Sequence, residues 1–310
     1  MGGEILGKYT SANCHVGGLA GGLEEIVRGY DLILVDMWGT VYDRDNGLYP
    51  EAAKALHLAM VSGRKVFLTS NAARPAELEV ERQLGDSLPR DHYDEIITAG
   101  GVLRQLLASG VSGIADESQR YFMLGHERNA GLLTGDGYEE VSNLGDADFI
   151  VVAGLGGGDE SCRIDDASWR ATEEILNHAL TANLPLFACK ADWLTVRGDG
   201  QPWIGPGPLL SRYIKQGGTV RVVGKPGAIY YRHCLDLAGV SPTRTLAIGD
   251  HIETDIAGAT AYGINSVLIR GGMVDRLVHP DPYADNPEFA EVSELAASAR
   301  STFELARLRW

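Results

Sequence analysis

DLILVDMWGTVYD, residues 31–43, carries the reading of this chain. An apolar run from Leu32 to Val35 ends in Asp36, and Gly39-Thr40 follow. A short continuous apolar run closed by a turn reads as a strand buried on both faces, and such strands belong to parallel sheets. Asp36 then stands at the C-terminal rim of an open α/β sheet, where ligands bind. Taken alone, the same residues also fit a strand and a turn in which Asp36 only caps. Three later stretches bear on that choice.

On either side of this strand the chain alternates. YPEAAKALHLAMVSG (49–63) has apolar residues at helical spacing, Pro near its start and Gly at its end. KVFLTSN (65–71) is a second short strand ending in Thr69, Ser70 and Asn71, and ARPAELEVERQLGD (73–86) a second helix. HYDEIITAG (92–100) and VLRQLLASG (102–110) repeat the pair. Strands alternating with helices through short links predict parallel strands with crossover helices.

The middle keeps this pattern with more turns: strands at 120–125 and 148–155, a helix at 165–185, and at 186–207 a strand with a hairpin around Gly198-Asp199-Gly200. TVRVVGKP (219–226) restores the first pattern as a strand ending in Lys225. TRTLAIGDHIETD (243–255) ends in Gly249-Asp250, and INSVLI (264–269) is a further strand. Residues 1–22 read as irregular, 23–30 as a short helix and SELAASARSTFELARLRW (293–310) as a closing helix. The expected fold is α/β. A doubly wound, Rossmann-like parallel-sheet core of residues 1–99 and 219–310 is interrupted by an inserted α/β cap domain of residues 100–218.

Four strand ends carry polar groups: Asp36; Thr69 with Ser70; Lys225; and Asp250 with Asp255. In one parallel sheet all four meet on one rim. The set suits phosphoryl transfer through an aspartyl phosphate, with Asp36 as the nucleophile. Ser70 would bond a phosphoryl oxygen, and Lys225 would neutralise phosphate charge and keep Asp36 ionised. Asp36, Asp250 and the Trp38 carbonyl would hold Mg²⁺, a hard cation that takes oxygens. Asp255 would hold the ion or its water. Against this, Lys225 also reads as a surface lysine before proline. Asp250 and Asp255 also read as a helix cap and a first-turn acid, which is compatible with binding metal.

DMWGT (36–40), FLTSN (67–71), GKP (224–226) and GDHIETD (249–255) together resemble the haloacid dehalogenase (HAD) superfamily. An insertion between the second and third motifs is similar to the class II cap of its 4-nitrophenylphosphatase and sugar- or nucleotide-phosphatase branch. YDEIITAGGVLRQLL (93–107) and FACKADWL (187–194) resemble that branch too. The resemblance implies substrate contacts at Thr69, Asn71, Lys190 and Asp192, although Asp192 also reads as a turn residue. Where the family has DxDGT this chain has Trp38, so the carboxyl that protonates the leaving group there is missing, because an indole does not titrate. The family uses only the backbone carbonyl of that residue for the metal. Asp43 and Asp192 are the candidates to replace the acid. FLTSN offers two hydroxyls, and Ser70 is preferred because Asn71 follows it.

The bulk properties narrow the function classes. The 310 residues are 45% hydrophobic and carry a formal charge of −15. A chain this acidic, with a pI near 4.9, is a poor nucleic-acid or anionic-membrane binder. A small phosphate ester remains a fitting partner, because a local site can be metal-loaded. Cys14, Cys162, Cys189 and Cys234 have no metal-ligand spacing and read as thiols of a reducing cytoplasm. No run approaches a membrane span. His126-Glu127 lacks the second histidine of HExxH, and GLGGGDE (154–160) lacks the Lys-Ser/Thr of a P-loop. Trp169, Trp193 and Trp203 read as packing residues, the latter two with a place beside a ligand. The expected activity is Mg²⁺-dependent hydrolysis of a small sugar-, cyclitol- or nucleotide-phosphate-like metabolite. Hydrolysis at carbon and silent phosphate binding are the alternatives. Oligomeric state stays open, a homodimer being one option.

Overall fold

The computed structural model describes residues 20–43, 46–76, 78, 79, 84, 87–110, 113, 114, 119–156, 161–163, 166–196, 202–272 and 301–310. Half of the helix expected at 73–86, the hairpin tip Gly198-Asp199-Gly200, much of the 154–160 loop and the first part of the 293–310 helix lie outside these residues. So do residues 1–19.

The first strands are β1 (Leu32–Asp36), β2 (Lys65–Ser70) and β3 (Glu95–Thr98). Helix α1 (Pro50–Val61) links β1 to β2, and α2 (Ala99–Ala108) follows β3. Pro50 opens α1, where its missing N–H costs nothing. Thr98 caps α2 by accepting from Gly101 N. Next come β4 (Arg120–Leu124), β5 (Glu139–Val141), β6 (Phe149–Val152), α3 (Ala167–Thr181), β7 (Leu186–Ala188), β8 (Leu194–Val196), β9 (Pro202–Ile204) and α4 (Gly207–Lys215). The chain continues through β10 (Val220–Val222), α5 (Ala228–Ala238), β11 (Thr245–Gly249), α6 (Ala257–Ala261), β12 (Asn265–Ile269) and β13 (Phe303–Leu305).

Two parallel sheets result. The larger has the order β13-β12-β11-β1-β2-β3, and the smaller β10-β7-β6-β4-β5. In the larger sheet β1 has neighbours on both sides, so both faces of the strand are covered. Ile33 and Val35 pack with Ala52, Ala55 and Leu56 of α1. Leu32 and Leu34 pack on the other face with α2 and α5 residues such as Leu103 and Tyr230. Period-two alternation therefore divides LILV between two helical layers. From β1 the chain steps outward through β2 and β3, then returns to β11 on the other side of β1. The β1/β11 junction is thus a topological switch point, where a crevice opens at the strand ends.

Two expectations need correction. Val220–Val222 pairs in parallel with Leu186–Ala188 in the smaller sheet, so this strand does not belong to the core and the boundary expected at 218/219 falls short of it. It is a half-buried edge strand, and nothing in Val-Arg-Val distinguishes one sheet from another. Residues 303–305 form β13 at the edge of the larger sheet, not part of a closing helix, and residues after it leave regular structure. The apolar pattern there serves a strand that pairs with β12. The expected hairpin is present as the antiparallel pair β8–β9. The smaller sheet is not isolated, for Tyr121, Phe149 and Phe187 share an apolar cluster with Leu32, Leu34 and Phe67.

Candidate active site

Register brings the first residues together. Asp36 pairs with Thr69, and Val35 with Ile248, so Gly249 lies level with Asp36 and Asp250 one residue beyond. The chain leaves β1 through Gly39, which has φ +84°, a left-handed conformation that glycine adopts without strain. A Cβ there would lie 2.1 Å from Asp250 Oδ2, so the turn can lie against that carboxylate only without a side chain. After Asp250 the backbone winds through one π-helical segment, Ile252–Ile256, before α6. His251 N donates to Asp255 Oδ2 at 3.1 Å, which fixes this carboxyl on the crevice.

Lys225 enters from the far side of the insertion. Its Nζ donates to Asp36 Oδ1 and to Asp255 Oδ1, each at 2.6 Å. Its backbone is gripped by Asn71: Lys225 N donates to Asn71 Oδ1 at 2.7 Å, and Asn71 Nδ2 donates to the Lys225 carbonyl at 2.8 Å. Lys225 thus reaches the expected rim even though β10 belongs to the smaller sheet. The preceding Gly224 touches that sheet closely, since a Cβ there would lie 2.2 Å from the Cys189 carbonyl.

Asp36, Asp250 and Asp255 each offer an oxygen within 4.8 Å of the others. Three carboxylates, two of them buried, face one ammonium group in this cluster. Burial, reinforced by Asp255 and Asp250, pushes the Asp36 carboxyl well above the usual carboxylate range in spite of Lys225. Burial pushes the Lys225 ammonium down, but Asp255 and Asp36 outweigh it and hold its pKa well above the ordinary lysine value. The donor set is all oxygen and short of about two positive charges, which fits a hard divalent cation of the Mg²⁺ kind.

The other expected residues fall as follows. Thr69 is buried and Ser70 half-buried, so Ser70 is the hydroxyl nearer the surface, and its Oγ accepts from Ala72 N at 3.2 Å. Asp192 reaches the site from the insertion, its Oδ1 lying 3.4 Å from Asn71 Nδ2, a long hydrogen bond. Lys190 lies half-buried just after β7. Trp38 is half-buried, packs on the α1 side of the core and forms a bridge with Tyr42. Asp43 is buried and serves its own turn. It accepts from Asn46 N at 2.6 Å, from Asn46 Nδ2 and from Tyr49 Oη at 2.7 Å.

Four residues escaped the sequence reading. Tyr230 Oη accepts from Ser70 N at 3.0 Å and donates to the Ile97 carbonyl at 2.6 Å. Tyr231 Oη donates to the carbonyls of Thr254 and Asp255. Burial holds both phenols well above their usual pKa, so they stay donors. From the segment after Asp250, Glu253 Oε2 accepts from Trp193 N at 3.1 Å, and His251 Nε2 lies 3.1 Å from the Leu194 carbonyl. These contacts join the entry to β8 to the segment after Asp250. Tyr230 and Tyr231 had no signal beyond helical spacing, because their partners are backbone groups far away in sequence.

A doubly wound sheet with this aspartate–lysine crevice at its switch point and a second sheet inserted beside it defines a class of α/β hydrolases. Residues 33–139 match the family described as haloacid dehalogenase-like hydrolase, and residues 222–295 match the related HAD-hydrolase-like family. Chronophin of Mus musculus is 28% identical over 261 residues, spanning 80% of this chain and 87% of that protein. Sugar-phosphatase AraL of Bacillus subtilis (strain 168) is 25% identical over 272 residues, spanning 85% and 92%. A haloacid dehalogenase-like hydrolase from Brucella suis 1330 superposes with a TM-score of 0.71 at 28% identity, over 94% of this chain and all of that one. Both matched stretches are thus of haloacid dehalogenase-like hydrolases.

Proposed function

We propose that this chain is a Mg²⁺-dependent phosphatase of a small phosphorylated metabolite, sugar-, cyclitol- or nucleotide-phosphate-like, working through an aspartyl phosphate on Asp36. The observation that carries this reading is Lys225 Nζ bonded to both Asp36 and Asp255 at 2.6 Å, with Asp250 beside them. Asp36, Asp250 and Asp255 would hold the cation, with the Trp38 carbonyl as a further ligand. When bound, the ion supplies positive charge beside the phosphoryl group. An Asp36 oxygen bonds to phosphorus as the bond to the leaving oxygen breaks, and water then cleaves the acyl phosphate to give inorganic phosphate and free Asp36. Lys225 stabilises negative charge on the phosphoryl oxygens, and Ser70 donates a hydrogen bond to one of them. The leaving oxygen needs a proton that Trp38 does not hold. Asp43 is committed to its turn, so Asp192 is the carboxyl this reading assigns to that role.

The smaller sheet and its helices form the cap in this reading, with residues 186–194 turned toward the crevice. The carboxylate trio weighs against hydrolysis at carbon, since that chemistry has no use for a divalent-cation site. Trp38 favours one second reading, a phosphate binder that has lost turnover.

A phosphate-release screen over a metabolite library, with and without Mg²⁺, tests the proposal. Mg²⁺-dependent release that disappears in Asp36→Asn is the expected result. Ligands that raise the melting temperature of the protein without any release would favour the silent binder instead.

A further inference from the structure

We infer that His57, Asp91 and His92 form a second metal site, selective for a borderline divalent cation such as Zn²⁺. His57 stands in the middle of α1. Asp91 and His92 lie on the 3₁₀ turn Arg90–His92, three residues ahead of β3. The two imidazole rings lie 4.9 Å apart, centre to centre, with planes tilted by 39°. Asp91 lies beside both, with Oδ1 bonded to His92 Nδ1 at 2.7 Å and Oδ2 3.9 Å from His57 Nδ1, too far for a hydrogen bond. One donor atom from each residue falls within 4.8 Å of the other two.

His57 Nδ1 gives the second observation. It is sealed from solvent and has no hydrogen-bond partner, although the rest of the ring is half exposed. A buried polar atom without a partner is rare enough to need an explanation. Here a cation held between the two rings and the carboxylate would supply the partner. Asp91 is exposed, so an ion can enter from solvent.

The donor types set the selectivity. Two imidazole nitrogens and one carboxylate suit Zn²⁺ and its neighbours and leave a coordination position for water. Mg²⁺ takes oxygens and would stay with the aspartates. The two sites are also apart in the fold. β3 runs parallel to β2, whose far end is Ser70, so the turn ahead of β3 lies at the opposite edge of the sheet from Asp36. Its location points to a staple that ties α1 to the entry of β3, the edge strand of the larger sheet.

Calorimetric titration of the full-length protein with Zn²⁺, in excess Mg²⁺, tests this. Wild type should bind one Zn²⁺ through the histidines, and His57→Gln and His92→Gln should each weaken binding by roughly tenfold or more, the scale at which even outer partners of a ligand count. Asp250→Asn should keep the histidine-dependent binding, which separates this site from the aspartate crevice. On unaltered protein, Zn²⁺ should protect His57 and His92 from diethyl pyrocarbonate. Zn²⁺ binding that survives both histidine substitutions, or is lost only in Asp250→Asn, would overturn the inference, as would absence of protection.

Discussion

In the proposed mechanism Trp38 stands where the resembled motif has its leaving-group acid, and an indole has no proton to give at any working pH. General acid help is worth roughly 10²–10⁴-fold. If Asp192 does not replace it, aryl, acyl and anomeric phosphates should react far faster than alkyl phosphates of similar size. A plot of rate against leaving-group pKa reads this directly. With Asp192 as the acid, a flat wild-type plot that becomes steep in Asp192→Asn is expected. A steep wild-type slope that flattens in Trp38→Asp would instead mean that no residue replaces the acid. Asp36→Asn should abolish turnover while still binding substrate, because it removes the bond-forming oxygen and leaves the pocket. Product assay and equilibrium binding on the same sample distinguish those two effects.

Two connecting segments hold these residues in place. The Asn71 amide grips Lys225 on both sides of its backbone, and the bonds reach across the whole insertion. Asn71→Ala would orphan two half-buried groups at about 1–3 kcal/mol each. A lower melting temperature together with a fall in kcat is expected, and unchanged kcat would show that Lys225 holds its place without the clamp. The turn after β1 makes a sharper demand. Gly39→Ala puts a methyl into Asp250 and an L-residue into the left-handed region, a backbone cost of about 1–2 kcal/mol. Mg²⁺ affinity should fall, read as a higher Mg²⁺ concentration for half-maximal activity.

Across the molecule the buried thiols offer a test of packing. Burial pushes both Cys189 and Cys234 up to about 12, and Cys162 is buried as well. A thiol that reacts only as thiolate is then inert at neutral pH. In a Cys14→Ser background, native protein should release almost no thionitrobenzoate from Ellman's reagent, and denatured protein three equivalents. Reaction of the native protein at a free-thiol rate would mean that the layers open. Among the described residues, no helix is long and apolar enough to cross a membrane.

The strand from Leu32 to Asp36 and the four polar strand ends were legible in the sequence, because burial on both faces and a turn after an acid are local patterns. From those patterns came the parallel core, the insertion and the residues Asp36, Lys225, Asp250 and Asp255. Local pattern was silent on partners. Val-Arg-Val at 220–222 reads the same in either sheet, and only pairing with Leu186–Ala188 assigns it. Asn71 reads as a substrate contact, and no local pattern shows that its amide also meets the Lys225 backbone, 154 residues away. Asp43 reads as a spare acid, and only the folded turn shows Asn46 and Tyr49 bonded to its oxygens. The two buried tyrosines act on backbone groups that no spacing rule connects to them. The sequence by itself determined which segments are buried and which acids stand at their ends. The tertiary structure alone decided which groups meet, because hydrogen-bond partners far apart in the chain come within reach only when the layers close.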